Sequence, residues 1–298
     1  MTTQLLTIFT RTPLHVGAGS SVGAVDQPII RERHTRFPVI PGSSLKGVLA
    51  DLWNEELVTT DGEKTKTDIV RSKDGIRLFG NTDTAKSSAG ALLIGESKLL
   101  AFPVRSAKGG FAWITCPLAL RRFSRDTGNG KIIENLPSVK GENAAPTKSS
   151  NLLLDTGSGG RKIILEEYPL ALVGELPDAV GATLAKLSAD TVWQEIASRL
   201  VLLSDELFCY FVENACEVAQ HNRIDDRTGT VADGALFNQE NVPSEAMFYS
   251  VLSAKAAGDI DAVAKKLSAE NGLLQIGADM TTGLGWCSVE LRTKEEVR

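Results

Sequence analysis

Apolar residues crowd the stretch from Gln4 to Thr12, where Leu5, Leu6, Ile8 and Phe9 sit among threonines and the run stops at Pro13. β-formers at this density, ended by a residue that lacks an amide hydrogen, predict a first strand. Leu45, Val48, Leu49, Leu52 and Trp53 then recur at helical spacing after Pro41 and Gly42, and Ser43 or Ser44 can supply an N-cap oxygen. That pattern predicts a helix whose apolar stripe packs on a sheet. Ala91 to Pro103 and Phe111 to Cys116 are β-rich runs around the segment Arg105 to Gly110, which predicts two antiparallel strands joined by a short loop. Ile260, Val263, Ala264 and Leu267 mark a late helix ending near Gly272, and Leu273 to Ile276 with Trp286 to Leu291 predict strands around a Gly-rich turn. The resulting order, β-α-β-β-α-β, is that of a ferredoxin-like α+β fold.

Between these elements the pattern weakens. Trp193, Ile196, Ala197, Leu200 and Val201 predict a further helix, followed by a strand from Glu206 to about Val218. The polar stretches Thr59 to Gly75, Asp83 to Gly90 and Asp126 to Lys162 predict insertions or disordered loops, about 59–90 and 126–162 in all. No repeat of fixed period is visible, and 298 residues suit one enlarged domain, 1–298, carrying insertions.

Composition narrows the function. A net charge of -5 and a pI of about 5.4 argue against a general nucleic-acid binder, so any RNA contact must be local. Met1 to Phe9 lacks the features of a secretory signal, and Leu200 to Leu203 is far too short to cross a bilayer. A cytoplasmic protein with no membrane partner is expected. The cysteines at 116, 209, 216 and 287 form no C-x-x-C pair, so they predict small core residues rather than a zinc site.

Candidate chemistry concentrates in the segment from His15 to Arg36, HVGAGSSVGAVDQPIIRERHTR. Glycines such as Gly17 and Gly19 let backbone N–H groups approach a phosphate, with Ser20 beside them, while Arg31, Arg33 and Arg36 supply forked donors matched to phosphate oxygens. Asp26 among these cations would either help hold a divalent cation or accept a proton from a ribose 2′-hydroxyl, and His15 is a second candidate for acid or base work. A dinucleotide fold is excluded because Val22 stands where glycine or alanine is needed and Pro28 blocks the required helix. Gly277 to Gly283 likewise fails the P-loop, having one residue too many and no lysine after the second glycine.

Other segments add to an anion-handling surface. Ser43, Ser44 and Lys46 sit at a helix start, where unpaired amides and the dipole favour a phosphate. The segment from His221 to Phe237 alternates turn residues with apolar ones and predicts an extended hairpin. Its Arg223 and Arg227, with Phe237, suit a wedge between unstacked nucleotides. Asp225, Asp226 and Asp233 lack the alternating acids and terminal Glu of an EF-hand.

Taken together, HVGAGSSVGAVDQPIIRERHTRFPVIPGSSLKG, GALLIGESKLLAFPVRSAKGGFAWITCPLALRRF, RIDDRTGTVADGALF and IGADMTTGLGW resemble the RAMP superfamily, most closely the backbone subunit of type III-B CRISPR effectors, the Cmr complexes. The resemblance implies a ferredoxin-like (RRM-like) palm, a projecting β-hairpin thumb at about 219–245, and a C-terminal Gly-rich loop at about 277–285. It implies further copies of the chain stacked as a filament on a CRISPR RNA guide, with the other subunits of the complex, binding complementary target RNA. In that family an Asp in the first Gly-rich loop cuts the target with a divalent metal, Mg or Mn, and Asp26 matches it. Ser43, Ser44 and Lys46 match the guide-binding helix start, Arg223 to Phe237 the thumb, and Thr281, Thr282 and Gly283 the C-terminal loop, all as RNA contacts. A non-cleaving RNA-binding scaffold is the alternative.

Overall fold

The computed structural model describes all residues except 20–22, 62–63, 82–86 and 158–159. In chain order the elements that matter are β1 (Thr2–Thr10), α1 (Gly42–Asp51), a hairpin of β2 (Asn54–Asp61) and β3 (Lys64–Arg71), β4 (Ser97–Ser106), β5 (Gly110–Thr115) and α2 (Pro117–Thr127). They continue through β6 (Asn143–Pro146), β7 (Arg161–Leu165), β8 (Tyr168–Leu172), β9 (Leu200–Leu203), α3 (Asp205–Asn214), β10 (Glu217–His221), β11 (Phe237–Asn241), β12 (Met247–Ala254), α4 (Ala257–Ala269), β13 (Leu273–Gln275) and β14 (Trp286–Arg292).

One large mixed sheet runs in the order β7-β8-β6-β9-β5-β4-β12-β1-β14-β13. β1 pairs antiparallel with both β12 and β14, and β12 pairs antiparallel with β4. β1 is covered on both faces, which explains its unbroken apolar run. Leu6 and Ile8 enter one core with Leu45, Leu49, Ile260 and Val263, and Leu5 and Phe9 enter a second with Trp113, Phe123 and Trp193. The alternation follows from the two-residue period of a strand. In the second core Trp193 lies 5.4 Å from Phe9 and 5.3 Å from Trp113, ring centre to ring centre.

The structure departs from the sequence pattern at several places. The strand between β1 and β4 is β12, which the pattern did not single out, whereas Phe111 to Cys116 becomes β5 on the outer side of β4. The predicted strand from Glu206 is helix α3 instead. Ser204 Oγ caps it by accepting from the Leu207 amide at 3.2 Å, Asp205 and Glu206 lie in its first turn, and Phe208, Phe211 and Val212 form its buried stripe. The helix expected through Val201 ends at Arg199, and Leu200–Leu203 is a fully buried strand parallel to β5.

The segment 126–162 is no loose insertion, because β6 lies inside the sheet with Ala144 and Ala145 buried. The polar stretch after Trp53 forms the β2–β3 ribbon, antiparallel from Asn54 opposite Arg71 outward. Among the described residues no helix is long and apolar enough to cross a membrane.

Candidate RNA-binding and cleavage site

The glycine-rich loop after β1 folds back on itself. The Ala18 amide donates to the Pro28 carbonyl at 2.9 Å and the Ile30 amide to the Val16 carbonyl at 2.8 Å. Asp26 is exposed, and a cleft of about 390 Å³ is lined by His15, Gly17, Gly19, Asp26 and Gln27. Ser20 lies outside the described residues.

Asp26 is held from across the chain by β11. The Asn238 side-chain oxygen accepts from the Asp26 amide at 2.7 Å, and the Asn238 amide donates to Asp26 Oδ2 at 2.9 Å. His15 is buried, and its Nδ1 donates to the Glu240 carbonyl at 2.7 Å. A carbonyl can only accept, so in the neutral ring Nε2 is left as the acceptor. A Cβ at Gly17 would stand 2.8 Å from His15 Nε2, so the imidazole occupies the space a side chain would need.

The arginines divide. Arg31 turns inward, donating to Glu240 Oε1 at 2.5 Å and to the Val212 and Arg36 carbonyls at 2.8 Å each, with its side chain 3% exposed. Its donors are consumed by the protein, which removes it from the predicted RNA contacts. Arg36 pairs with Glu213 at 3.1 Å, while Arg33 is exposed and makes no ion pair among the described residues.

The start of α1 also differs in detail from expectation. Pro41 takes the N-cap position, so Ser43 and Ser44 lie inside the first turn and no side chain caps the helix. Its first amides are therefore open to an anion, with Ser43 and Lys46 exposed beside them.

β10 and β11 pair from Glu217 opposite Asn241 to His221 opposite Phe237, and the bridge between Ile224 and Val231 extends the hairpin. Arg223 and Arg227 are exposed near its end together with Ile224, Val231 and Leu236. Phe237 stacks on His221 at 5.2 Å and 14°. The Asp225 carboxylate accepts from the Arg227 and Thr228 amides at 2.8 and 3.2 Å, which shapes the tip and leaves no calcium geometry to explain.

The C-terminal glycine-rich loop closes on the same place. The Ala278 amide donates to the His15 carbonyl at 2.9 Å, and a Cβ at Gly277 would come 2.2 Å from that oxygen. Gln239 Nε2 reaches Asp279 Oδ2 at 2.8 Å, and Thr281 and Thr282 are exposed beyond it, followed by half-buried Gly283. Two glycine-rich loops thus converge at the root of one hairpin. Sequence patterning missed Asn238, Gln239, Glu240 and Asp279, because a polar run such as Phe237 to Asn241 carries no local sign of its partners.

The RAMP superfamily model matches residues 7–288. The chain is 35% identical to the CRISPR system Cmr endoribonuclease Cmr4 of Pyrococcus furiosus over 300 aligned positions, 98% of this chain and 96% of that one. A shorter stretch, 29% of the chain, is 33% identical to the Cms endoribonuclease Csm3 of Enterococcus italicus, of which it covers 41%. Oligomeric Cmr4 from Pyrococcus furiosus superposes with a TM-score of 0.70 at 29% identity over 98% of both chains. A chain of the type III-B Cmr-beta complex bound to cognate target RNA shares the fold at a TM-score of 0.70 and 20% identity, covering 100% of this chain and 99% of that one. The matches span nearly the whole chain and include both glycine-rich loops and the hairpin: this protein belongs to the RAMP superfamily.

Proposed function

We propose that this chain is the repeated backbone subunit of a type III-B CRISPR effector, in which copies line a guide RNA, bind complementary target RNA and cut it at regular intervals in the cytoplasm. The observation that carries the reading is the exposed Asp26 carboxylate, fixed by Asn238 over a cleft where two glycine-rich loops meet the root of a projecting hairpin. The Pyrococcus relative, matched over nearly its full length, is named an endoribonuclease of such a system.

On this reading the order β4-β12-β1-β14, crossed by α1 and α4, is the ferredoxin-like palm, and the hairpin from about 219 to 245 is the thumb. The open start of α1 with Ser43, Ser44 and Lys46 takes guide phosphates. Arg223 and Arg227, with apolar neighbours, part the nucleotides beside the cut. Asp26 accepts the proton of a ribose 2′-hydroxyl, whose oxygen attacks the adjacent phosphorus while the 5′-oxygen leaves and takes a proton from water. Nε2 of His15 is the second group facing the cleft.

In the other role open to this carboxylate, Asp26 would hold a divalent ion instead of taking the proton. Among the described residues no three metal-binding side chains cluster. A single carboxylate nevertheless suits Mg²⁺ or Mn²⁺, which keeps its waters and binds through one or two carboxylates plus substrate phosphates. When bound, such an ion supplies positive charge to the phosphate under attack.

The test uses the assembled complex with a complementary target RNA. Asp26→Ala is expected to abolish cutting while target binding persists, and chelation by EDTA is expected to do the same reversibly. Cutting at the wild-type rate by the Asp26→Ala complex would overturn Asp26 as the cutting group and leave only the RNA-binding scaffold reading standing, and cutting unaffected by EDTA would remove the metal.

A further inference from the structure

We infer that Asn238 is the positioning residue of the cleavage site, so that one strand, β11, fixes both the projecting hairpin and the direction of the Asp26 carboxylate. The inference rests on the reading of Asp26 as the cleaving group.

Among the described residues, the backbone hydrogen bonds within the Asp26 loop join Ala18 to Pro28 and Ile30 to Val16. The bonds to Asp26 itself come from Asn238. Its side-chain oxygen accepts from the Asp26 amide at 2.7 Å and its own amide donates to Asp26 Oδ2 at 2.9 Å. Its side-chain nitrogen donates to the Ala24 carbonyl at 3.3 Å, and its carbonyl accepts from the Gln27 amide at 3.1 Å. The Glu240 amide completes the register by donating to the Gln27 carbonyl at 2.9 Å, so residues about Gln27 run beside β11 like a short parallel strand.

Two features make the side chain specific. The amide of Asn carries an acceptor and a donor on one planar group, and here the acceptor holds the amide of Asp26 while the donor holds the carbonyl two residues earlier. With Oδ2 bound by the Asn238 amide, Oδ1 is the oxygen left for the reaction, and the rotation of the carboxylate is set. The same strand pairs with β10 through His221 and Phe237, at the base of the hairpin that carries Arg223 and Arg227. A hairpin seated on RNA and a carboxylate aimed at the neighbouring phosphate thus share one rigid support.

The experiment compares Asn238→Ala and Asn238→Asp with wild type in the assembled complex, measuring single-turnover cutting at saturating target separately from guide and target affinity. Asn238→Ala keeps the backbone bonds and loses the side-chain ones. Its cutting rate is expected to fall about 10- to 100-fold with guide and target affinity unchanged, as a displacement of reacting groups by an ångström does. Asn238→Asp keeps the acceptor for the Asp26 amide but loses the donor to the Ala24 carbonyl, so its single-turnover rate is expected to fall about 10-fold with affinity unchanged. A residue that merely supports folding would not lower the cutting rate of assembled, target-bound complex.

Wild-type cutting by Asn238→Ala, or a loss of cutting only in proportion to lost RNA binding, overturns the inference. If the alanine variant fails to assemble, a wild-type single-turnover rate in Asn238→Asp overturns it equally. Asp26→Ala, measured alongside, separates the two levels. Cutting by that variant removes the catalytic reading itself, whereas its silence together with full activity of Asn238→Ala removes only the role given to Asn238.

Discussion

The Arg31 guanidinium and the Glu240 carboxylate meet at 2.5 Å, with their side chains 3% and 11% exposed, so a cation five residues from Asp26 holds the fold together rather than RNA. The second Glu240 oxygen accepts from the Ile29 amide at 3.1 Å, which ties the carboxylate to the backbone of the Asp26 loop as well.

Removing one partner of this pair leaves the other buried and uncompensated. Glu240→Ala is therefore expected to lower stability by about 3 to 5 kcal/mol, read from the denaturant midpoint of the isolated subunit. Arg31→Ala should do the same. Substitution at Arg33, which is exposed, is expected to leave the midpoint unchanged.

Lys46 stands beside the open amides of α1, and its contribution should be electrostatic. Lys46→Ala is expected to weaken guide binding and to reduce the slope of log affinity against log salt by about 0.7, the change for one single-stranded phosphate contact. Titration of guide RNA at several salt concentrations checks it. An unchanged slope would place Lys46 away from the phosphates.

Glu245 gives the fold a pH dependence outside the site. Burial, followed by the nearby Asp190 charge, pushes its carboxyl from 4.5 up to about 7. The protonated form is the one the fold prefers, so its stabilising contribution is complete below pH 4.5 and is lost as pH rises through about 7. After allowance for solvent at this half-buried position the effect is about 1 kcal/mol. Glu245→Gln is expected to raise the melting temperature at pH 8 relative to wild type and to leave it alike at pH 4, measured by thermal unfolding at both.

Much of the architecture was legible from local pattern. Leu45 and Leu49 at helical spacing gave away α1, and the apolar runs around Gly109 and Gly110 gave β4 and β5. Met247 to Ala254 did not declare its place, because any apolar strand fits the middle of a sheet covered on both faces. The helix from Asp205 was hidden by Phe208, Tyr210 and Phe211, residues that favour strands, although its capping serine and first-turn acids were present in the sequence. Of the site, the glycine-rich loop with Asp26 and the hairpin with Arg223 and Arg227 were visible as short dense motifs.

What the sequence by itself determined is which chemistry is available: an aspartate among glycines and arginines, a lysine at a helix start, a basic hairpin, and a pattern that identifies the family. The tertiary structure alone decided how that chemistry is used. It turned Arg31 into the core, left Arg33 outside, and brought Asn238 to Asp26 across 212 residues of chain. The reason is physical. Strand period and helix spacing record which face a residue turns toward the core, but not which distant backbone amide will meet it there, and that meeting is settled only when β11 finds its register.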